Sequence, residues 1–147
     1  SEIRALMLHR GTVTGVDSGD KTLDIAAMKQ YCRQYHVILA ASGETDIITD
    51  GRDTYLCHNG DPKMAKITGS GCMSSVMLGA FLGMEASVCS AAACSAFVGI
   101  AGELAAGETD TRGGGTMTFR DLFIDEVSLM TPEKLQRCNV QLVSMEG

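Results

Sequence analysis

The sequence predicts an α/β fold, with a mostly parallel central sheet, an attached antiparallel meander and helices on both faces. Three observations carry that expectation. A helix-patterned segment, residues 23–35, runs into the continuously apolar His36-Val37-Ile38-Leu39-Ala40-Ala41; a helix followed by such a run is the rhythm of a sheet covered on both faces. Two turn signals, Asp50-Gly51 and Asn59-Gly60, punctuate short runs that suit strands. The stretch Ile67-Thr68-Gly69-Ser70-Gly71-Cys72 joins a run that can extend (63–67) to a long small-and-apolar run (73–84) that reads as a buried helix.

The 147 residues suggest one domain. A chain of that size buries about 70% of its unfolded surface. With 45% apolar and 20% charged residues it is globular rather than disordered. A net charge of −6 with no basic patch argues against nucleic acid as a partner. An acidic chain that handles phosphate needs backbone donors, a metal or a local cation. The six cysteines show no CxxC pair and no zinc spacing. No signal peptide is evident, so the expected setting is reduced and intracellular. The longest low-charge run, 67–84, falls short of a membrane span and is expected to be a core helix. The start at Ser1-Glu2-Ile3, with no initiator Met, suggests the second part of something longer or a processed product.

In chain order, residues 1–9 suit a short amphipathic helix ended by Gly11. Residues 12–21 form a polar loop containing Gly15-Val16-Asp17-Ser18. The helix over 23–35 turns Leu23, Ala26, Ala27, Cys32 and Tyr35 inward, with Lys29 and Arg33 in solvent. The strand over 36–41 empties into Ser42-Gly43-Glu44-Thr45-Asp46. In an open α/β sheet, ligands bind outside the carboxyl ends of the strands, which puts Ser42 and Gly43 where a phosphate contact is expected. Strands over 46–49, 53–57 and 63–67 make the meander. A helix from Cys72 to Met84 follows. The next helical run, 85–107, is apolar nearly all round and so sits deep. Residues 107–115 are a glycine-rich loop. Thr116 or Thr118 caps a helix over 119–129. Thr131-Pro132 starts a short helical turn, and 139–143 is a last strand.

The 67–72 stretch holds the chemistry. Its glycines let the backbone turn sharply and approach a ligand closely. The first N–H groups of the following helix have no partner within that helix and favour phosphate. Thr68 and Ser70 add hydroxyl donors. A cysteine at a helix N-terminus is favoured as thiolate, making Cys72 a candidate base or nucleophile. A lone Gly-x-Gly turn equally describes a strand-to-helix connection with no ligand. The other cysteines, Cys32, Cys57, Cys89, Cys94 and Cys138, read as small core residues. Glu103 stands in an otherwise apolar helix, where an unpaired carboxylate is costly, so a polar edge, a partner group or a neighbouring subunit is expected beside it.

Taken together these motifs resemble the hydroxyethylthiazole kinase family, small-molecule kinases of ribokinase-like fold. Gly15-Val16-Asp17-Ser18 is similar to its GVDS loop. Ser42-Gly43-Glu44-Thr45-Asp46 with Asp50-Gly51 is similar to its TGExDxxxDG segment. Asn59-Gly60 with Lys66-Ile67-Thr68-Gly69-Ser70-Gly71-Cys72-Met73 is similar to its NG…KxTGTGCM segment. Gly99-Ile100-Ala101-Gly102-Glu103-Leu104-Ala105 is similar to its GIAGExA helix, and residues 115–119 to its GPGSF turn, here without the proline.

The resemblance implies a three-layer ribokinase-like sandwich. It implies phosphoryl transfer from ATP to the alcohol of 4-methyl-5-(2-hydroxyethyl)thiazole, a thiamine salvage step, with Mg2+ as cofactor. On the matching positions Cys72 is the catalytic residue, and Thr68, Gly69, Ser70 and Gly71 form the anion hole, with Gly69 also touching substrate. Ser42, in place of a threonine, and Gly43 contact the nucleotide. Glu2 matches the glutamate of an N-x-x-E motif at the magnesium site, although the asparagine of that motif would precede this sequence. It further implies a cytoplasmic homotrimer, with no nucleic acid or membrane partner. Residues 1–147 would be the C-terminal portion of a single kinase domain whose upstream portion is absent from this chain. Two alternatives stand beside this reading: a ribokinase-like kinase for another small alcohol, and a non-catalytic structural or regulatory homologue.

Overall fold

The structure, a computed structural model, describes residues 25–143. Helix α1 (Ile25–Tyr35) buries Met28, Lys29 and Cys32. Lys29 was expected in solvent; it is 9% exposed, because the turn at Gly51 comes down onto its carbonyl. The helix stops at His36, which takes a left-handed φ of 54°, and the Val37 amide bonds back to the Cys32 carbonyl. Part of the apolar run 36–41 is thus used to end the helix. Only Leu39–Ala41 form strand β1.

Among the described residues, strands β2 (Asp46–Thr49), β3 (Thr54–Cys57) and β4 (Val140–Leu142) join β1 in a four-stranded sheet of order β1-β2-β3-β4. All three pairings are antiparallel, with Ala40 opposite Ile48, Ile48 opposite Tyr55, and Cys57 opposite Val140. This overturns the expected three-layer ribokinase-like sandwich with a mostly parallel sheet. The reason is connection length. A parallel crossover takes a dozen or more residues, whereas 42–45 and 50–53 reverse the chain within four residues each. At the β2–β3 turn the Asp50 carboxylate accepts from the amides of Arg52 and Asp53, both at 2.8 Å. Gly51 supplies a φ of +92°.

The expected third strand, 63–67, is instead a 3₁₀ turn over Pro62–Lys66. Pro62 fixes φ at its start and removes a ladder donor, and the Asp61 carboxylate caps the Lys63 amide at 2.8 Å. Only Ile67 is extended.

Three long helices follow. Helix α2 spans Ser70–Met84, α3 Val88–Thr111 and α4 Thr116–Ser128, with a short α5 at Pro132–Leu135. Helix α3 runs through residues expected to be a glycine-rich loop. Thr109 is buried and returns its hydroxyl to the Ala105 carbonyl at 2.6 Å. Ion pairs Lys63–Asp110 and Glu108–Arg112 hold that last stretch. No threonine side chain caps α4, whose N-cap is Gly115. Thr131 caps α5 and Pro132 sits in its first turn.

Helix α3 is the axis of the core. One cluster packs Cys94, Val98, Ala101 and Ala105 against Ile67, Phe119 and Phe123. The other packs Val88, Ala91 and Ala96 against Ile48 and Cys57 of the sheet. Ile48 packs toward α3, and the neighbouring Thr49 carbonyl accepts from the Cys32 thiol of α1. Helix α3 is also long and apolar enough to span a membrane, but 61% of that window is buried inside the fold, as in a core helix.

Helix α2 was expected to be buried, yet none of its residues is. It leans on α3 through Met77 and Phe81, the latter edge-on to Phe97 at 5.6 Å. Val76 and Met84 are 73% and 78% exposed. Its apolar residues are spread around the helix, and among the described residues α3 is its one substantial neighbour. Cys89 and Cys138, read as core residues, are exposed, whereas Cys32, Cys57 and Cys94 are buried.

Candidate phosphate-binding turn

The buried Ile67 anchors the turn from below and leaves the core in extended conformation. Thr68 is exposed. Gly69 then takes φ +97° and forms the N-cap of α2 without any side-chain bond. A β-carbon on Gly69 would meet nothing within 4 Å, so this glycine is required by conformation and not by crowding. The helix begins two residues earlier than expected, at Ser70, and the Met73 amide bonds to the Gly69 carbonyl at 2.9 Å. Cys72 therefore stands in the first helical turn, exposed. Gly71 also faces open space.

The hydroxyls are less available than the sequence suggested. The Ser70 hydroxyl turns back to the Ile67 carbonyl at 3.4 Å, leaving its lone pairs rather than its proton for a ligand. The Ser74 and Ser75 hydroxyls return to the carbonyls of Ser70 and Gly71. Among the described residues Thr68 has no side-chain hydrogen-bond partner, which leaves its donor available.

Ser42 and Gly43 follow β1 and are exposed. The Gly43 amide is already engaged, donating to the Asp46 carboxylate at 3.0 Å. Burial raises the Asp46 carboxyl above the usual carboxylate range, opposed by that amide and by the Ser95 hydroxyl of α3. Thr45 reaches the His58 ring at 3.2 Å. Among the described residues no hydrogen bond joins Ser42 or Gly43 to residues 68–72. The two groups are connected through the fold: β2 and β3 lie on α3, and α3 carries α2. Glu2 and Asp17 lie outside the described residues.

Sequence reasoning missed one polar cluster. Asn59, expected in a hairpin turn, is 9% exposed and sits between α3 and the approach to β4. Its side-chain amide donates to Glu103 at 3.1 Å and to the Arg137 carbonyl at 3.0 Å, and its oxygen accepts from the Asn139 amide at 2.7 Å. The available signal was the lone carboxylate of Glu103 in an apolar helix. An open cleft lined by Glu103, Leu122, Asp125, Glu126, Leu129 and Arg137 runs between α3 and α4, away from the 68–72 turn.

Magnesium at phosphoryl-transfer sites is held by one or two carboxylates together with the substrate phosphates, so a three-ligand protein cluster is not needed. Among the described residues no three metal-ligating side chains converge. The exposed backbone turn fits the phosphate end of such a complex, and the carboxylate expected to meet the metal, Glu2, is not among those residues.

Comparison with known proteins gives a consistent picture. The sequence pattern of the Hydroxyethylthiazole kinase family matches residues 1–133. A hydroxyethylthiazole kinase of Methanosphaerula palustris is 43% identical, covering 91% of this chain and 50% of that protein. Those of Archaeoglobus fulgidus and Thermoanaerobacter pseudethanolicus are 36% and 40% identical, each covered over 52% of its length. The chain thus spans about half the length of the curated relatives it matches. The hydroxyethylthiazole kinase structure from Pyrococcus horikoshii shares the fold, with a TM-score of 0.73 at 24% identity over 80% of this chain and 45% of that one.

Proposed function

The chain belongs to the hydroxyethylthiazole kinase family, and on that premise we propose that it carries the phosphoryl-transfer turn of an ATP-dependent kinase acting on the hydroxyethyl alcohol of 4-methyl-5-(2-hydroxyethyl)thiazole. The observation that supports this most directly is Gly69, left-handed and uncapped by any side chain, presenting the open first turn of α2 with Cys72 in it.

The chemistry asks for positioning and charge stabilisation. The alcohol oxygen attacks the γ-phosphorus, the bond to the ADP oxygen breaks, and the alcohol proton leaves. The backbone amides of Gly69, Ser70 and Gly71, with the Thr68 hydroxyl, hold the transferring phosphoryl oxygens, and Gly69 leaves room for the substrate. The Cys72 sulfur, placed beside that group, accepts the alcohol proton or, as thiolate, orients the alcohol. Ser42 and Gly43 contact the nucleotide, Gly43 through its carbonyl side because its amide serves Asp46. Glu2 would help to hold Mg2+, which would supply the charge compensation that an acidic chain lacks. The domain is one kinase domain of which this chain forms the C-terminal portion, working in a cytoplasmic homotrimer with small-molecule partners only.

The test is a coupled ADP-release assay on the protein in its full native length, with ATP and magnesium. Hydroxyethylthiazole is offered beside pyridoxal and hydroxymethylpyrimidine. Release dependent on the thiazole alone supports the proposal. Release with another alcohol keeps the kinase and discards the thiazole. No release, together with no ATP binding by calorimetry, overturns both.

A further inference from the structure

Two motifs that are forty residues apart in sequence meet as one device. Gly60 donates its amide to the Glu103 carboxylate at 2.9 Å, and the Asn59 side chain donates to the same oxygen at 3.1 Å. The glycines of the α3 motif make that contact possible. A β-carbon on Gly99 would lie 2.6 Å from the Asn59 carbonyl oxygen, and one on Gly102 would run into the Met64 side chain. Below them Lys63 pairs with Asp110 at 2.8 Å, and Ile67 is buried among Cys94, Val98 and Ala101. Residues 59–67 therefore lie against α3, fastened at Gly99 and at Gly102, Glu103 and Asp110, which follow it at three, four and eleven residues and so share one helix face. The next residues are Thr68 and Gly69. The phosphate turn follows directly on Ile67, where the segment leaves the core, and the segment's other end is gripped by one carboxylate.

We propose that Glu103 is a positioning residue for the 68–72 turn: by holding Asn59 and Gly60 it sets where the segment leaves α3, and hence where Gly69 and Cys72 stand. This rests on the kinase reading for its consequence in turnover but not for its geometry. Glu103 touches no reacting atom. Its carboxylate is the point at which three chain segments converge, because Asn59 passes the grip on to Arg137 and Asn139 before β4.

The experiment uses the full native-length protein with Glu103→Ala and Glu103→Gln, and two readouts. The first is the rate of Cys72 alkylation by N-ethylmaleimide, resolved by peptide mapping, with exposed Cys89 at the far end of α3 as reference. The inference expects Glu103→Ala to change the Cys72 rate by about fivefold or more, in either direction, with Cys89 unmoved. The second is steady-state kinetics. A misplaced turn lowers kcat by roughly 10- to 100-fold while KM for ATP stays within about twofold. Glu103→Gln keeps an acceptor for both donors and recovers most of the loss.

An unchanged Cys72 rate and kcat in Glu103→Ala overturns the proposal. So does an equal change at Cys72 and Cys89, which marks general loosening. If the wild type shows no kinase activity but the Cys72 rate shifts selectively, the kinase reading fails and the positioning stands. Should Glu103→Ala not fold, Glu103→Asp, which withdraws the carboxylate by one methylene, is read by the same two criteria.

Discussion

The Arg33 guanidinium donates its Nε–H to the carbonyl of Gly51 at 2.6 Å, tying α1 to the tip of the β2–β3 hairpin. The glycine is needed twice over. Its φ is +92°, and a β-carbon would lie 2.7 Å from the Arg33 side chain and 2.8 Å from the Lys29 carbonyl. Gly51→Ala is expected to lose about 2–4 kcal/mol through backbone strain plus overpacking against α1. Gly43→Ala, where a β-carbon finds ordinary contact at 3.4 Å, is expected to stay within about 0.5 kcal/mol. Urea denaturation of the two variants decides it; equal midpoints would refute the account.

The same hairpin closes over a buried hydroxyl. Thr49 donates to the Asp53 carbonyl at 2.7 Å and accepts from the Gly51 amide and the Thr54 hydroxyl, and both threonines are essentially unexposed. Thr49→Val keeps the shape and strands the Gly51 amide and the Thr54 hydroxyl, while the Asp53 carbonyl still accepts from the Asp50 amide. The expected cost is about 1–3 kcal/mol, with Thr49→Ser recovering most of it. A valine variant as stable as wild type in denaturant melts would show that water reaches these groups.

How far the sequence reached can be judged at single residues. The β2 and β3 strands and their Asp50-Gly51 turn were legible because each signal is local: a short run that suits a strand, then a turn residue that supplies φ > 0. The helices of the second half were legible from their apolar runs. The antiparallel pairing of β2 with β3 was legible in the Asp50-Gly51 turn, but the direction of β1 was not, since it depends on which neighbour a strand pairs with, and a run as apolar as 36–41 fits either. Pro62 should have counted against the strand over 63–67, and its presence at a 3₁₀ start follows a known preference. At the site, the 68–72 turn was visible in its glycines and its cysteine. The engagement of the Gly43 amide by Asp46, and of Gly60 by Glu103, was invisible because both bonds depend on tertiary placement.

Asp46 gives a pH signature. Its carboxyl is raised in the folded chain, chiefly by burial. It therefore binds its proton more tightly folded than unfolded. The stabilisation is present in full below the unfolded value, near pH ~4, and is lost as pH rises through the higher folded value. Asp46→Asn keeps an acceptor for the Gly43 amide without the charge. Relative to wild type, the variant should gain stability as pH rises across that window and level off above it. Denaturation midpoints of the two proteins measured from acid to neutral pH should diverge upward; parallel curves would mean the carboxyl titrates normally.

Cys72 is where the two proposed roles separate. If the sulfur takes the alcohol proton, Cys72→Ala should lower kcat by about 10²- to 10⁴-fold, the usual range for a lost general base, with nucleotide affinity little changed. Cys72→Ser tells whether an anionic sulfur is needed. A hydroxyl accepts and donates hydrogen bonds much as a thiol does but is a far weaker acid, so it can orient the alcohol without supplying an anion at neutral pH. Loss in both variants shows that the anionic sulfur is needed, as base or as orienting thiolate. Loss in alanine with recovery in serine shows that a neutral hydrogen-bonding group suffices and removes the base role. Because Cys72 is exposed in the first turn of α2 and packs against no core cluster, neither substitution should move the thermal midpoint by more than about 1 °C. Turnover can then be read without a stability correction. Unchanged kcat in both variants would remove the sulfur from the reaction and leave proton acceptance to a group that the 68–72 turn does not contain.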